Sequence, residues 1–116
     1  MILVPRVVGQ TCLLLNATLS PTQRANCTHM TARTFDTFQR AEPPNWLTGA
    51  NALDVASIGI ALGLLTADSA VVADAYARVH AAVQVQTGFQ ADGILKDGSF
   101  GQHKGLLYNG SYSADS

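Results

Sequence analysis

The residues best suited to chemistry lie in one stretch near the end of the sequence. Residues 97–112 contain a histidine, His103, two tyrosines, Tyr108 and Tyr112, and an amide, Gln102, with glycines between them. A histidine in a glycine-rich polar loop can act as a general base near neutral pH, and a tyrosine can transfer a proton when its pKa is lowered. The alternative is structural: a surface histidine and core aromatic rings.

A second candidate, Asn51, lies upstream in the segment 48–51. It follows Thr48-Gly49 at a predicted helix start, so it could be an N-cap residue. Its amide could instead hold an anionic substrate, supported by the positive end of the helix dipole. We expect this segment and residues 97–112 to lie against each other.

Helices must position these segments, because hydrophobic periodicity predicts little else. The predicted helices cover residues 3–16, about 21–39, 51–65 and about 69–85. Ser20, Pro21 and Gln23 form a helix-start pattern, the third helix is apolar almost all round, and Asp68 or Thr66 caps the fourth.

Two further features complete the local prediction. Gly59 and Gly63, four residues apart, would let a neighbouring helix approach closely, or are simply tolerated. From Phe89 onward no strand pattern persists, so we predict a long loop with one turn around residues 104–107.

Composition limits the function classes. The 116 residues form at most one domain. The net charge of −1 gives no sign of the basic surface that binds nucleic acid or an anionic membrane. No apolar run approaches the roughly 20 residues of a membrane span, and the N-terminus lacks the basic region of a signal peptide. The histidines and cysteines lack zinc spacing, so we predict no metal site and no cofactor. Cys12 and Cys27 either form a disulfide or remain buried thiols.

Three tripeptides fit the N-glycosylation pattern, and they begin at Asn16, Asn26 and Asn109. Such tripeptides arise by chance, but three in a short chain favour a secreted, extracellular glycoprotein.

Three segments, residues 48–54, 97–103 and 108–112, resemble the active-site motifs of polysaccharide lyase family 8. That family includes hyaluronate, chondroitin AC and xanthan lyases. Residues 2–6 and the run 13–15 also resemble a helix near the start of its catalytic region. The resemblance covers nearly the whole chain, in matching order. It implies an all-α fold whose helical hairpins form part of an incomplete (α/α) toroid, and an acidic polysaccharide as the substrate.

The resemblance also implies roles for individual residues in β-elimination at a uronic acid. Asn51 would bind the uronate carboxylate and stabilise the charge that develops there. Tyr112 would protonate the leaving oxygen and act as the base, with His103 holding the tyrosinate or sharing the base role. We expect Trp46 and Gln102 to contact substrate, although Trp46 could equally be a buried core residue.

The sequence departs from the family pattern at Ala52, Gly101 and Ser113. The tryptophan-rich segment expected before Ile2, the downstream arginine and glutamate, and the β-sandwich domains are absent. We therefore predict that residues 1–116 are a fragment of the catalytic domain, inactive without the rest of it. The alternatives are an inactive helical carbohydrate-binding or scaffold piece, and a helical protein-interaction module.

Overall fold

The computed structural model describes residues 2–102 and the backbone of residues 106–108. His103, Tyr112 and Asn109 therefore lie outside the described residues. The α-helices are α1 (Leu3–Leu14), α2 (Pro21–Phe35), α3 (Gly49–Thr66) and α4 (Ser69–Ala82), and 3-10 turns follow α1 at Asn16–Thr18 and α2 at Asp36–Gln39. The strands are β1 (Val85–Gln86), β2 (Gly93–Leu95), β3 (Phe100–Gln102) and β4 (Leu106–Tyr108).

The start of α2 follows the predicted capping pattern. The Ser20 hydroxyl accepts a hydrogen bond from the Gln23 backbone N–H (3.2 Å), and the Gln23 side chain accepts one from the Ser20 N–H (2.9 Å). Pro21 occupies the first helical position, where its missing N–H costs no hydrogen bond. These reciprocal bonds satisfy two of the free donors at the helix start.

Helix α3 is the core of the fold. Val55, Ala56 and Ile58 are almost completely buried, and α1, α2 and α4 all pack against this helix. Of the described helices, α3 alone has the length and apolarity of a membrane span, but 56% of it is buried against the rest of the chain, which is the behaviour of a core helix. The prediction of an all-α fold with a buried third helix is confirmed.

Gly59 and Gly63, in the body of α3, do allow close packing. A Cβ atom on Gly59 would collide with the ring of Phe35 from α2. A Cβ atom on Gly63 would lie 2.5 Å from a methyl group of Val72 in α4. Each glycine therefore admits a different neighbouring helix.

Helices α3 and α4 form a hairpin with a tight connection. Ala67 adopts a left-handed conformation (φ +52°), and the N–H groups of Ala67 and Asp68 donate to the carbonyls of Leu64 and Gly63. This is the Schellman arrangement that ends many helices. Asp68 then caps α4 by accepting from the N–H of Ala70 at 3.0 Å, so the prediction of Asp68 as the cap is confirmed.

Helix α4 ends earlier than the sequence pattern predicted, at Ala82 instead of about residue 85. Val72 packs against α3, whereas Tyr76 is 53% exposed and Val83, just after the helix, is 41% exposed. Ala75 is the fully buried position of α4.

The two cysteines form a disulfide. Cys12 in α1 and Cys27 in α2 are joined with their Cα atoms 6.4 Å apart, and both are buried beside Leu65. Of the two alternatives that the sequence left open, the disulfide is the one observed, and it ties the first helical pair together.

The predicted loop after Phe89 is wrong. Four short strands form one sheet in the order β1-β2-β3-β4, in which β1 pairs parallel to β2 and the other pairs are antiparallel. The fourth strand, residues 106–108, overlaps the turn that was predicted around residues 104–107. Strands of two or three residues are too short to show a period-2 pattern, which is why the sequence did not reveal them.

A tight turn joins β2 to β3. The Asp97 carboxylate accepts from the backbone N–H of Ser99 (3.0 Å) and from its hydroxyl (2.6 Å), and Gly98 takes a positive φ of +84°. These contacts lower the pKa of Asp97, with the Ser99 hydroxyl as the largest cause. The glycine-rich composition that suggested a loop therefore serves the turn of a hairpin.

Candidate functional site

The start of α3 and strand β3 meet through one buried side chain, Gln102. Its side-chain oxygen accepts from the backbone N–H of Ala50 (3.0 Å), and its side-chain nitrogen donates to the backbone carbonyl of Thr48 (3.1 Å). Gln102 is only 5% exposed. The predicted meeting of segment 48–51 with the later glycine-rich stretch is therefore present, at the strand that directly precedes His103 in the sequence.

The geometry of Gln102 favours a positioning role. Both polar atoms of its amide are engaged by the backbone at the start of α3, where the free N–H groups of a helix need partners. A substrate contact by Gln102 remains a prediction. Its observed bonds fix the end of β3 relative to the first turn of α3.

A second bond strengthens this junction. The Thr48 hydroxyl donates to the carboxylate of Asp92 at 2.7 Å, and Asp92 directly precedes strand β2. Two neighbouring strands of the sheet are therefore connected by side chains to the residue that precedes α3.

Asn51 lies in the first turn of α3 and is half-buried. Of the two alternatives left open for it, the N-cap role is not the one observed, because α3 begins at Gly49 and Thr48 occupies the cap position. Gly49 permits this earlier start with its positive φ of +52°.

The amide of Asn51 has a fixed orientation. Its nitrogen donates to the backbone carbonyl of Trp46 at 2.9 Å. This contact identifies the nitrogen side of the amide, since only the NH₂ group can donate to a carbonyl. An amide NH₂ has two donors, so a second one is left beside the positive end of the helix dipole, which is a suitable position for a carboxylate.

An ion pair joins the first part of α3 to α1. Arg6 of α1 lies 3.0 Å from the carboxylate of Asp54, and both side chains are about three-quarters buried or more. Asp54 is three residues after Asn51 and therefore on the same helix face. No local sequence pattern predicts this pair, although Arg6 and Asp54 are each the last residue of a segment that resembles the lyase family.

Trp46 lies at the surface and is 37% exposed, so the interpretation of it as a buried core residue is wrong. The neighbouring Leu47 is the buried residue of this segment. Trp46 forms part of the wall of a groove of about 460 Å³. The groove is lined by Val4, Pro5, Met30, Arg33, Thr34, Thr37, Arg40, Pro44 and Trp46.

The remaining predicted site residues are only partly covered by the structure. His103, Tyr112 and the third sequon, at Asn109, lie outside the described residues, so their roles stay predictions. Asn16 and Asn26 are both exposed, and Asn16 also accepts a hydrogen bond through its backbone carbonyl from Arg24 at 2.7 Å. Within residues 2–102, no three His, Cys, Asp or Glu side chains group as a metal site would require.

Comparisons with known proteins agree with the motif resemblance. The family described as polysaccharide lyase family 8, N-terminal alpha-helical domain, matches residues 1–115. A hyaluronate lyase of Enterococcus faecalis, HylB, is 39% identical over 70 residues, which is 60% of this chain but only 7% of that protein. The fold is helical as this family description requires, and the match extends over nearly all of the sequence. The chain belongs to polysaccharide lyase family 8.

Proposed function

We propose that this chain carries part of the active site of a lyase that cleaves uronic-acid-containing polysaccharides by β-elimination. The observation that carries the proposal is the pair of bonds from Gln102 to the start of α3. These bonds hold residues 48–51 against strand β3. His103 directly follows β3 in the sequence. Membership of a polysaccharide lyase family and the similarity to a hyaluronate lyase support the substrate class.

The reaction needs a base, an acid and a group that stabilises negative charge. The base removes the proton on C5 of the uronate, the electrons form a C4–C5 double bond, and the C4–O4 bond breaks. The acid then protonates the departing O4. Because C5 is adjacent to the carboxylate, negative charge grows on the carboxyl oxygens in the transition state, and a fixed donor near them accelerates the reaction.

Asn51 suits the last of these roles. Its amide is already oriented by Trp46, so little freedom is lost when the second N–H binds a carboxylate. The start of α3 adds the positive end of a helix dipole. We assign Tyr112 as the acid on O4 and as the base, with His103 holding the tyrosinate or sharing the base role.

The chain on its own is proposed to be inactive. The match covers only 7% of the curated relative, and several large apolar side chains of α1 are exposed. Leu3, Val7 and Leu14 are 65%, 49% and 86% exposed. An apolar face of this kind favours packing against further helices, as in the complete toroid, or self-association.

An extracellular location is also a proposal. The disulfide between Cys12 and Cys27 supports it, because disulfides persist mainly in oxidising compartments. The exposed sequon residues Asn16 and Asn26 are accessible for glycosylation.

The experiment is an ultraviolet absorbance assay for the unsaturated product. The 116-residue chain and a chimaera, in which this chain replaces the matching segment of the Enterococcus enzyme, are incubated with hyaluronan, chondroitin and lyase-pretreated xanthan. We expect product from the chimaera and none from its His103→Ala or Tyr112→Phe variants. His80→Ala and Tyr76→Phe, both at exposed positions of α4, are the matched controls. Glycan binding without product in every form would favour the non-enzymatic carbohydrate-binding alternative.

A further inference from the structure

We propose that Asn16 is the glycosylated residue of the two acceptor tripeptides that the structure describes, and that the disulfide between Cys12 and Cys27 keeps Asn26 unmodified. Both tripeptides lie close to this disulfide in the sequence, and both asparagines are exposed. Exposure alone therefore does not separate them. Modification of Asn16 requires the extracellular location proposed above, and it is independent of the elimination reaction.

The first tripeptide lies in the connection between α1 and α2, and N-glycosylation acceptors are typically found in surface loops of this kind. Asn16–Thr18 forms a single 3-10 turn, and all three of its residues are exposed. The Thr18 hydroxyl, which completes the acceptor, donates to the carbonyl of Leu15 at 2.9 Å. The whole tripeptide is therefore on the surface of the folded chain.

The side-chain amide of Asn16 is held by Arg24 of α2. One guanidinium nitrogen donates to the Asn16 side-chain oxygen, and the other donates to the Asn16 backbone carbonyl at 2.7 Å. A guanidinium has donors only, so the amide turns its oxygen toward Arg24 and its nitrogen, Nδ2, away from it. Nδ2 is the atom to which an N-linked glycan is attached.

The transfer reaction leaves the contact with Arg24 intact. The donor is an oligosaccharide linked through a diphosphate to a lipid. The bond from the sugar C1 to the diphosphate oxygen breaks, a bond from C1 to Nδ2 forms, and the amide nitrogen loses one proton as the lipid diphosphate leaves. The side-chain oxygen of Asn16 is unchanged, so it still accepts from Arg24 while the glycan extends into solvent.

Asn26 is exposed too, but its tripeptide lies inside helix α2. The Thr31 hydroxyl donates to the backbone carbonyls of Cys27 at 2.9 Å and of Thr28 at 3.1 Å. Cys27, the middle residue of the tripeptide, is only 7% exposed. The tripeptide therefore cannot take a loop conformation unless this part of α2 unfolds.

The disulfide opposes that unfolding. Cys27 is joined to Cys12 of α1, and both pack beside Leu65 of α3. The cysteines are 15 positions apart, and a short loop of this kind closes at a small cost in chain entropy. Once formed, the bond fixes α2 against α1 at the middle residue of the acceptor. Asn16 lies in the turn of the closed loop, so the same bond leaves its tripeptide on the surface.

The test measures glycan occupancy at each sequon of the 116-residue chain, secreted by a eukaryotic host behind an added leader peptide. After reduction, trypsin separates the two sequons, because they lie in different peptides, residues 7–24 and 25–33. Release of the glycan by peptide N-glycosidase in heavy-oxygen water marks each occupied asparagine as a labelled aspartate, which mass spectrometry counts. We expect Asn16 to be occupied in most molecules and Asn26 in few.

Substitutions in the first tripeptide test the acceptor itself. Asn16→Asp removes Nδ2 but keeps the oxygen that accepts from Arg24, so the glycan should be lost while the fold is kept. Thr18→Ala should also abolish occupancy, and Thr18→Ser, which keeps a hydroxyl, should retain it. Asn26→Gln is the matched control and should not change occupancy of Asn16. Thermal unfolding reports whether each variant is folded.

Cys12→Ala tests the role of the disulfide, because it removes the bond and leaves the tripeptide at Asn26 unchanged. Occupancy of Asn26 should rise several-fold in this variant, whereas occupancy of Asn16 should stay the same. Thr11→Ala, at the exposed neighbouring position of α1, is the matched control and should leave Asn26 unmodified.

An unmodified Asn16 in the secreted chain would overturn the proposal, as would equal occupancy of Asn16 and Asn26. An unchanged occupancy of Asn26 in Cys12→Ala would refute the protective role of the disulfide. Because the added leader directs the chain into the secretory pathway, these results bear on the site alone. Absence of the native protein from the medium of its own source would refute the extracellular location alone.

Discussion

Replacement of Gln102 should disconnect strand β3 from the start of α3. Its amide oxygen accepts a hydrogen bond from the N–H of Ala50, and its amide nitrogen donates one to the carbonyl of Thr48. Gln102→Leu keeps most of the volume but leaves both backbone groups without this partner. An unpaired buried polar group costs about 1–3 kcal/mol, and because both groups are only part-buried, water replaces some of the loss, so we expect about 2–3 kcal/mol in total.

That loss is large against the roughly 5–15 kcal/mol by which small domains are usually stable. Denaturant unfolding measures the loss, and amide hydrogen exchange at Ala50 reports the broken bond directly. Gln39→Leu is the matched control, because Gln39 is exposed and its amide makes only a 3.4 Å contact with Asp74. A Gln102→Leu stability equal to that of the control, with unchanged exchange at Ala50, would refute the reasoning.

A second variant, Gln102→Glu, should make the free energy of unfolding depend on pH. A carboxylate can still accept from the N–H of Ala50, but it cannot donate to the carbonyl of Thr48. Burial and this carbonyl favour the protonated form, so the pKa of the new carboxyl is raised in the folded state. The destabilisation should be fully present above the folded-state pKa and disappear as the pH falls below the unfolded-state value. If the loss in free energy of unfolding does not change with pH in this range, the Gln102 amide nitrogen does not act as a donor to the Thr48 carbonyl.

Three further predictions follow from single contacts. Replacing Cys12 and Cys27 together by alanine should lower the free energy of unfolding by about 3 kcal/mol, the value for a closed loop of about 15 residues, and denaturant unfolding of both forms measures it. Ala67→Gly should stabilise the α3–α4 hairpin by about 1 kcal/mol, because glycine adopts a left-handed conformation without the steric cost of a Cβ; a lower melting temperature would contradict this. The carboxyl of Asp97 should titrate below its ordinary pKa, so its bond to Ser99 stabilises the turn at neutral pH and is lost as the pH falls through that lowered value; an NMR midpoint at the ordinary pKa would contradict it.

Local signals in the sequence predicted the helices well. The Ser20 capping box and the Asp68 cap act over two or three residues, and short-range patterns of this kind can be read directly. The almost uniformly apolar character of α3 predicted its burial for the same reason. The start of α3 was misplaced because Gly49 allows the chain to turn into the helix before Asn51, and glycine patterns do not reveal the sign of φ.

The site depended on contacts that the sequence does not display. The pairings of Gln102 with Thr48 and of Arg6 with Asp54 join residues separated by 54 and 48 positions. No local pattern distinguishes these side chains from ordinary polar residues. These residues do lie inside the segments that resemble the lyase family. That resemblance indicates function, but it does not indicate which residues hold the catalytic residues in position.

The sheet was missed for a different reason. Each strand is two or three residues long and is stabilised by its neighbours and by the turn at Gly98, so its own sequence carries little information. The disulfide was left open because spacing alone does not fix which cysteines meet. The helical packing that brings Cys12 and Cys27 together decides this point.

The central claim is that residues of this chain perform β-elimination on a uronic-acid polysaccharide. The most direct test is the ultraviolet absorbance of hyaluronan incubated with the chimaeric lyase and with its His103→Ala and His80→Ala variants. We expect an increase with the parent chimaera and with His80→Ala, and none with His103→Ala. An equal increase with His103→Ala would contradict it.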